Sequence, residues 1–186
     1  MVSAVVLAGG RSQRMGRDKA WLESDGQALI TRAVSTVRAA GIKEVFISGR
    51  AGTDYSAIGC PVLLDREPGH GPLGGVERAL ETSSAPLVLV LAVDLPRMAP
   101  CFLRQLAAQC DLLTGVVPSL RGSLEPLAAI YPRRCSATVR ECLLKAHLSA
   151  RHFADACLAE QAVRLLEVSE NDAGCFENWN SPSDAA

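Results

Sequence analysis

Short apolar runs punctuated by glycine and proline alternate along this chain with longer stretches whose apolar positions recur every three or four residues. The first run, Val2 to Leu7, is almost wholly apolar, rich in β-branched residues, and stops at Gly9-Gly10. That pattern is expected of a strand buried on both faces of a parallel sheet. Similar runs are Val45 to Ser48, Pro61 to Leu64, Leu87 to Val93 and Leu112 to Val117. Between them, Ala28 to Ala40 places Leu29, Ala33, Val37 and Ala40 on one helical face and ends at Gly41, a residue suited to close a helix. Leu73 to Thr82, Ala99 to Gln109 and Arg134 to Ala146 read as three more helices. Strand and helix alternate, which predicts a three-layer α/β/α fold with helices on both faces of a mostly parallel sheet. Repeats and low-complexity tracts are absent, and the polar composition after Ser169 places the last residues over the surface.

Composition narrows the picture. A chain of 186 residues, 48% hydrophobic and 21% charged, is expected to form one domain over residues 1–186, burying roughly 70% of its unfolded surface without covalent staples. Its 19 Lys+Arg against 20 Asp+Glu leave a net charge of −1, which excludes a broad basic surface for nucleic acid. Any phosphate binding must be local. No apolar run approaches the roughly 20 residues of a membrane helix, and the N-terminus lacks the basic region and long apolar core of a signal peptide. No membrane partner is therefore expected, and a cytoplasmic location is. The seven cysteines form no C-x-x-C pair and are odd in number, which indicates neither a disulfide framework nor a zinc site. Their mostly apolar, helical neighbourhoods predict small buried hydrophobes rather than reactive thiols.

In an open parallel sheet, ligands bind beyond the carboxyl ends of the strands. After the first strand, Leu7-Ala8-Gly9-Gly10 leads into a loop carrying Arg11, Arg14, Arg17 and Lys19. Adjacent glycines let backbone amides approach an anion, and four cations in one loop suit a polyphosphate; a solvated basic turn is the alternative. The glycine spacing is not G-x-G-x-x-G, and Lys19 stands between Asp18 and Ala20 rather than in Gly-Lys-Ser/Thr. Dinucleotide oxidoreductases and P-loop NTPases are thereby disfavoured. Asp94, at the end of the apolar run to Val93, can ligate magnesium together with substrate phosphates and water, or cap the turn before Leu95-Pro96. Asp65 ends another run, either as a plain turn residue or as a hydrogen-bond acceptor at the crevice. His70 reads as a bystander.

The gap-free stretch Leu7-Ala8-Gly9-Gly10-x-Ser12-x-Arg14-Met15-Gly16-x-Asp18-Lys19 resembles the N-terminal signature of nucleotidyltransferases that build molybdenum cofactor dinucleotides. These belong to the Rossmann-like nucleotide-diphospho-sugar transferase fold. Gly71-Pro72-Leu73-Gly74-Gly75, Val93-Asp94-Leu95-Pro96 and Asn178-Trp179-Asn180-Ser181-Pro182 resemble the guanylyl branch of that family. The resemblance implies transfer of GMP from GTP to molybdopterin, the organic part of the molybdenum cofactor, with release of pyrophosphate. It implies Mg²⁺ at Asp94, with Mn²⁺ as the alternative, and catalytic roles for Arg14, Lys19 and Asp94. It places Leu7, Ala8, Gly9, Gly10, Arg11, Lys19, Ser48, Asp65, Gly71, Pro72, Leu73 and Asp94 around the nucleotide. Asn178 and Asn180 fall at the molybdopterin side, where Glu125 is a further candidate contact. Molybdoenzyme apoproteins and other proteins of cofactor biosynthesis are the implied protein partners.

Two positions depart from the family pattern. Relatives usually carry an asparagine near the end of the second strand, where this chain has Ser48 in Phe46-Ile47-Ser48-Gly49-Arg50. A serine keeps one hydrogen bond but cannot offer an amide's separate donor and acceptor. Glu125 stands before Pro126 where relatives more often have an uncharged polar residue or histidine. It can aid the metal, accept from the pterin amino group, or be a surface charge. The competing functions are a CTP-dependent molybdopterin cytidylyltransferase, a transferase acting on another phosphorylated metabolite, and a non-catalytic adaptor that delivers the cofactor. Intact Lys19 and Asp94 favour an enzyme.

Overall fold

The computed structural model describes residues 1–9 and 19–179. Gly10, Arg11, Arg14, Arg17 and Asn180 therefore lie outside the described residues. In chain order the elements are strand β1 (Val2–Leu7), a 3₁₀ turn (Lys19–Trp21), the hairpin of β2 (Glu23–Ser24) and β3 (Gln27–Ala28), helix α1 (Leu29–Ala39), β4 (Val45–Ser48) and β5 (Val62–Leu63). There follow α2 (Pro72–Thr82), β6 (Leu87–Ala92), α3 (Pro100–Ala108), β7 (Gly115–Leu120), β8 (Ser123–Leu124), β9 (Ala128–Pro132), α4 (Ser136–Leu144), α5 (Ala150–Ala159) and β10 (Val163–Glu167).

The main sheet runs β10-β7-β9-β6-β1-β4-β5, with β8 paired to β7. Strands β4 and β6 flank β1 in parallel, β5 continues parallel to β4, and β10 is parallel to β7. Strand β9 runs antiparallel to both β6 and β7, so the sheet is mixed but mostly parallel. Along β1, Ala4 and Val6 join one core with α1 and α3, while Val5 and Leu7 join a second core with α2, α4 and α5. Strand β6 divides the same way, Leu89 and Leu91 to the first core and Val88 and Val90 to the second. Burial on both faces is why these two strands carry no polar alternation.

Several elements differ from the pattern read along the chain. Strand β7 begins at Gly115, and Leu112 and Leu113 are exposed. There the Asp111 carboxylate accepts from the amides of Leu113 and Thr114 and ends the preceding segment in a turn. Strands β9 and β10, the β2–β3 hairpin and α5 were not predicted by the apolar runs. The polar C-terminal stretch is not wholly superficial. A 3₁₀ turn at Ala173–Phe176 buries Cys175 and Phe176, with Phe176 edge-on to Phe102 at 5.2 Å.

The cysteines divide too. Cys135, Cys142, Cys157 and Cys175 are buried as expected, but Cys60 and Cys110 are half-buried and Cys101 is exposed. Burial pushes the Cys110 thiol up to about 11 and raises those of Cys60, Cys142 and Cys175, the direction of an inert thiol.

Where β7 meets β9, Gly115 is closely overlaid: a Cβ there would lie 2.0 Å from the Ile130 carbonyl oxygen. Because that neighbour is sheet backbone, Gly115→Ala is expected to lower unfolding free energy by about 1–3 kcal/mol. Urea denaturation checks this, and wild-type stability would contradict so tight an approach.

Candidate active site

The carboxyl ends of β1, β4, β5 and β6 open onto one crevice. The end of β1 is held there from both sides. The Ala8 amide donates to the Ser48 carbonyl at 3.0 Å, and the Val93 amide donates to the Leu7 carbonyl at 3.3 Å. Leu7 and Ala8 are buried, so they present backbone to the crevice.

On the β6 side, Lys19 Nζ lies 3.1 Å from Asp94 Oδ2, with the two side chains 18% and 29% exposed. These residues are far apart in the chain and meet because β6 lies beside β1. The Trp179 amide donates to the Asp94 carbonyl at 3.0 Å, which brings the C-terminal stretch over the same point. Asp94, Leu95, Glu125 and Asn178 line a cleft of about 250 Å³. Glu125 is fixed by its backbone: its amide donates to the Pro118 carbonyl at 2.8 Å and its carbonyl accepts from the Ala128 amide at 3.2 Å. Burial, and then the negative charge of Asp94, push the Glu125 carboxyl above its ordinary range. Glu125 is thus half-buried and lines the cleft together with Asp94.

Two carboxylates and an amide oxygen around one cleft form a hard donor set that fits Mg²⁺ or Mn²⁺. No group of three or more His, Cys, Asp or Glu able to hold a metal occurs among the described residues. The donor set suits an ion that shares its coordination with substrate phosphates and water rather than one caged by protein.

The β4–β5 side is shaped by glycines. Gly71 adopts φ 58°, ψ −145° ahead of Pro72 in the first turn of α2, a backbone region open essentially to glycine. A Cβ on Gly74 would lie 2.6 Å from Asp65 Cγ, and one on Gly75 would lie 2.2 Å from Ser48 Oγ. The pair lets the start of α2 settle directly on the ends of β4 and β5. Leu73 is fully buried, so only its backbone is available to a ligand.

Asp65 Oδ1 is buried and has no hydrogen-bond partner among the described residues. Burial raises the Asp65 carboxyl, with Glu77 adding to the rise and His70 opposing it. His70 therefore borders Asp65, and its own Nδ1 is buried without a partner among the described residues. Trp21, two residues past Lys19, stacks on Tyr55 with centroids 6.0 Å apart, tying the Lys19 turn to the loop after β4. Neither aromatic carried a recognisable signal in the sequence, since the contact joins two loops.

Residues 4–163 match the family described as MobA-like NTP transferase domain. The chain belongs to this family. A probable molybdenum cofactor guanylyltransferase from Opitutus terrae is 36% identical, the alignment covering 98% of this chain and 92% of the relative. A protein of the same name from Pelotomaculum thermopropionicum is 33% identical, covering 98% and 89%. Among solved structures, a putative protein from Aquifex aeolicus superposes with a TM-score of 0.78 at 26% identity, over 96% of this chain and 93% of that one. Molybdopterin-guanine dinucleotide biosynthesis protein A from Archaeoglobus fulgidus shares the fold, with a TM-score of 0.77 at 22% identity over 100% and 95%. As a MobA-like NTP transferase the chain is a nucleotidyltransferase, and its α/β sheet places Lys19, Asp94, Glu125 and Asn178 on one side of the crevice and Ser48 and Asp65 on the other.

Proposed function

We propose that this nucleotidyltransferase joins GMP from GTP to the phosphate of molybdopterin and releases pyrophosphate. The observation that carries the reading is the Lys19–Asp94 pair at 3.1 Å, set beside Glu125 and Asn178 and across the crevice from Asp65. The guanylyltransferase names of the relatives point the same way. An oxygen of the molybdopterin phosphate forms a bond to the α-phosphorus of GTP. The bond from that phosphorus to the bridging oxygen breaks, and its electron pair leaves with pyrophosphate. A phosphate monoester is already anionic near neutral pH, so no strong general base is needed, and catalysis rests on positioning and charge neutralisation.

Lys19 and Arg14, with the amides of Gly9 and Gly10, hold the triphosphate and neutralise charge on the leaving group. Arg11 adds to the same loop. Asp94 would hold Mg²⁺, with Glu125 beside it, and such an ion would supply polarisation of the phosphate oxygens. Asn178 and Asn180 offer amides to the pterin's mixed donors and acceptors. No helix among the described residues is long and apolar enough to cross a membrane, and we place the reaction in the cytoplasm, where molybdoenzyme apoproteins would receive the product.

A pyrophosphate-release assay with molybdopterin, Mg²⁺ and GTP, CTP or ATP tests the reading. Release with GTP alone is expected. Release with CTP would make the protein a cytidylyltransferase, and release with none would favour the adaptor.

Asp65 faces guanine's N1–H and N2–H₂ in this reading, at a cost to the free protein. Its carboxyl is raised on folding, so the folded state holds the proton more tightly than the unfolded chain. The Asp65 contribution to stability therefore falls as pH rises from the ordinary aspartate range through the raised folded value. Asp65→Asn is expected to flatten that fall in melts across pH 3–7 while weakening discrimination for GTP.

A further inference from the structure

After Ser48 the chain turns at Gly49, where no side chain fits: a Cβ would lie 2.5 Å from Tyr55 Cε2 and 2.9 Å from Val62 Cγ1. The next residue, Arg50, is held by its backbone, whose amide donates to the Tyr55 hydroxyl at 3.2 Å. Tyr55 is buried and stacks on Trp21, so this anchor is itself braced. From it the Arg50 stem runs past Gly9, its Cγ 3.9 Å from where a Gly9 Cβ would stand. Arg50 is half-buried, and its guanidinium forms no ion pair among the described residues.

Strands β4 and β5 pair Ser48 with Leu63 in parallel register. Arg50 and Asp65 each stand two residues beyond that pair, at neighbouring strand ends. Among the described residues they form no ion pair with one another, and the charged groups there that act on Asp65 are His70 and Glu77. Ser48 Oγ, in place of the family's amide, packs against the backbone of Gly75 and leaves base recognition short of a donor.

We propose that Arg50 reads guanine at O6 and N7 while Asp65 accepts from N1–H and N2–H₂. This rests on the guanine reading above and names the residue that supplies the missing donor. A guanidinium presents paired donors that match the O6 and N7 acceptors, whereas adenine carries an amino donor at the equivalent edge and cytosine has no N7. O6 lies between N1 and N7, so two groups on adjacent strand ends can serve one base from neighbouring edges. The aromatic brace under Arg50 limits the freedom lost when the contact forms.

The test is calorimetric binding of GTP, 7-deaza-GTP, ITP, CTP, ATP and inorganic triphosphate, each with Mg²⁺, to the wild-type protein and to Arg50→Lys, Arg50→Gln and Asp65→Asn. The wild-type protein is expected to bind 7-deaza-GTP, which lacks N7, about tenfold more weakly than GTP. Arg50→Lys and Arg50→Gln should bind GTP about 10- to 100-fold more weakly and lose the preference over 7-deaza-GTP. Arg50→Lys should keep its affinity for inorganic triphosphate. The penalty for ITP, which lacks the 2-amino group, should persist in Arg50→Gln and vanish in Asp65→Asn. Equal losses for GTP and inorganic triphosphate, with the preference over 7-deaza-GTP intact, would make Arg50 a phosphate ligand and overturn the proposal. An unchanged preference in Arg50→Lys, the variant that keeps charge and bulk, would overturn it as well, even if Arg50→Gln folds poorly. A wild-type protein that binds CTP or ATP as tightly as GTP would instead overturn the guanine reading, before any variant is compared.

Discussion

Lys19→Ala is expected to lower kcat for guanylyl transfer by about 100-fold or more. Loss of one preorganised donor at a site of developing charge typically costs two to three decades, and Lys19 is a cation that the fold brings to Asp94, at 3.1 Å. The same change should barely move the melting temperature. Both side chains retain contact with water, and partly exposed pairs contribute about 0–1 kcal/mol to folding. Single-turnover rates at saturating GTP, set beside a thermal melt, separate the two effects. Near-normal turnover would remove Lys19 from the chemistry, and a collapsed melt would make the pair structural.

Asp94→Asn is expected to cost about three decades, because it removes the carboxylate that would hold the metal, and charge stabilisation by a bound ion amounts to several kcal/mol. The variant is isosteric, and the hydrogen bond from the Trp179 amide goes to the Asp94 backbone carbonyl, so the C-terminal stretch should stay in place. Mn²⁺ titration followed by electron paramagnetic resonance gives a readout independent of turnover: the wild-type protein with GTP should show bound Mn²⁺, and Asp94→Asn should not. Because Lys19 and Asp94 act as a unit, the double variant should lose less than the product of the single losses. Full additivity would mean that the two side chains act independently rather than as a pair.

Most of the parallel half of the fold was legible. Strands β1 and β6 are buried on both faces, so their apolar runs stand out without alternation. Helix α1 shows its core face at Leu29, Ala33 and Val37, all buried. The antiparallel strand β9 was hidden because Ala128–Pro132 is short and follows a proline, features shared with loops. Strand β10 was hidden because it is an edge whose Arg164, Leu165 and Glu167 are exposed, giving a pattern with no single apolar face. Leu112 and Leu113 misled in the opposite sense: residue type encodes a preference for burial, but the Asp111 turn leaves both in water.

The candidate site divides in the same way. Asp94 and Asp65 could be picked out as residues ending apolar runs, and Lys19 as the last cation of a glycine-rich loop. Gly74 and Gly75 were visible as a motif, but their reason, close approach to Asp65 and Ser48, exists only in three dimensions. Glu125 left three alternatives open along the chain, and only the fold puts it in one cleft with Asp94. Arg50 carried no signal beyond its charge.

What the sequence determined by itself is the set of local preferences: where strands and helices form, where backbone amides can approach an anion, and that phosphate binding had to be concentrated in one place. Burial and periodicity act within a few residues, so they can be read along the chain. What the tertiary structure decided is which charges meet. Lys19 reaches Asp94 because β6 crosses back to lie beside β1. Glu125 joins them because β9, the neighbour of β6, carries the preceding turn to the same edge. Arg50 stands near Asp65 because β4 and β5 end in parallel register. Electrostatic work falls off with distance through space, and that distance follows from strand order rather than from separation along the chain.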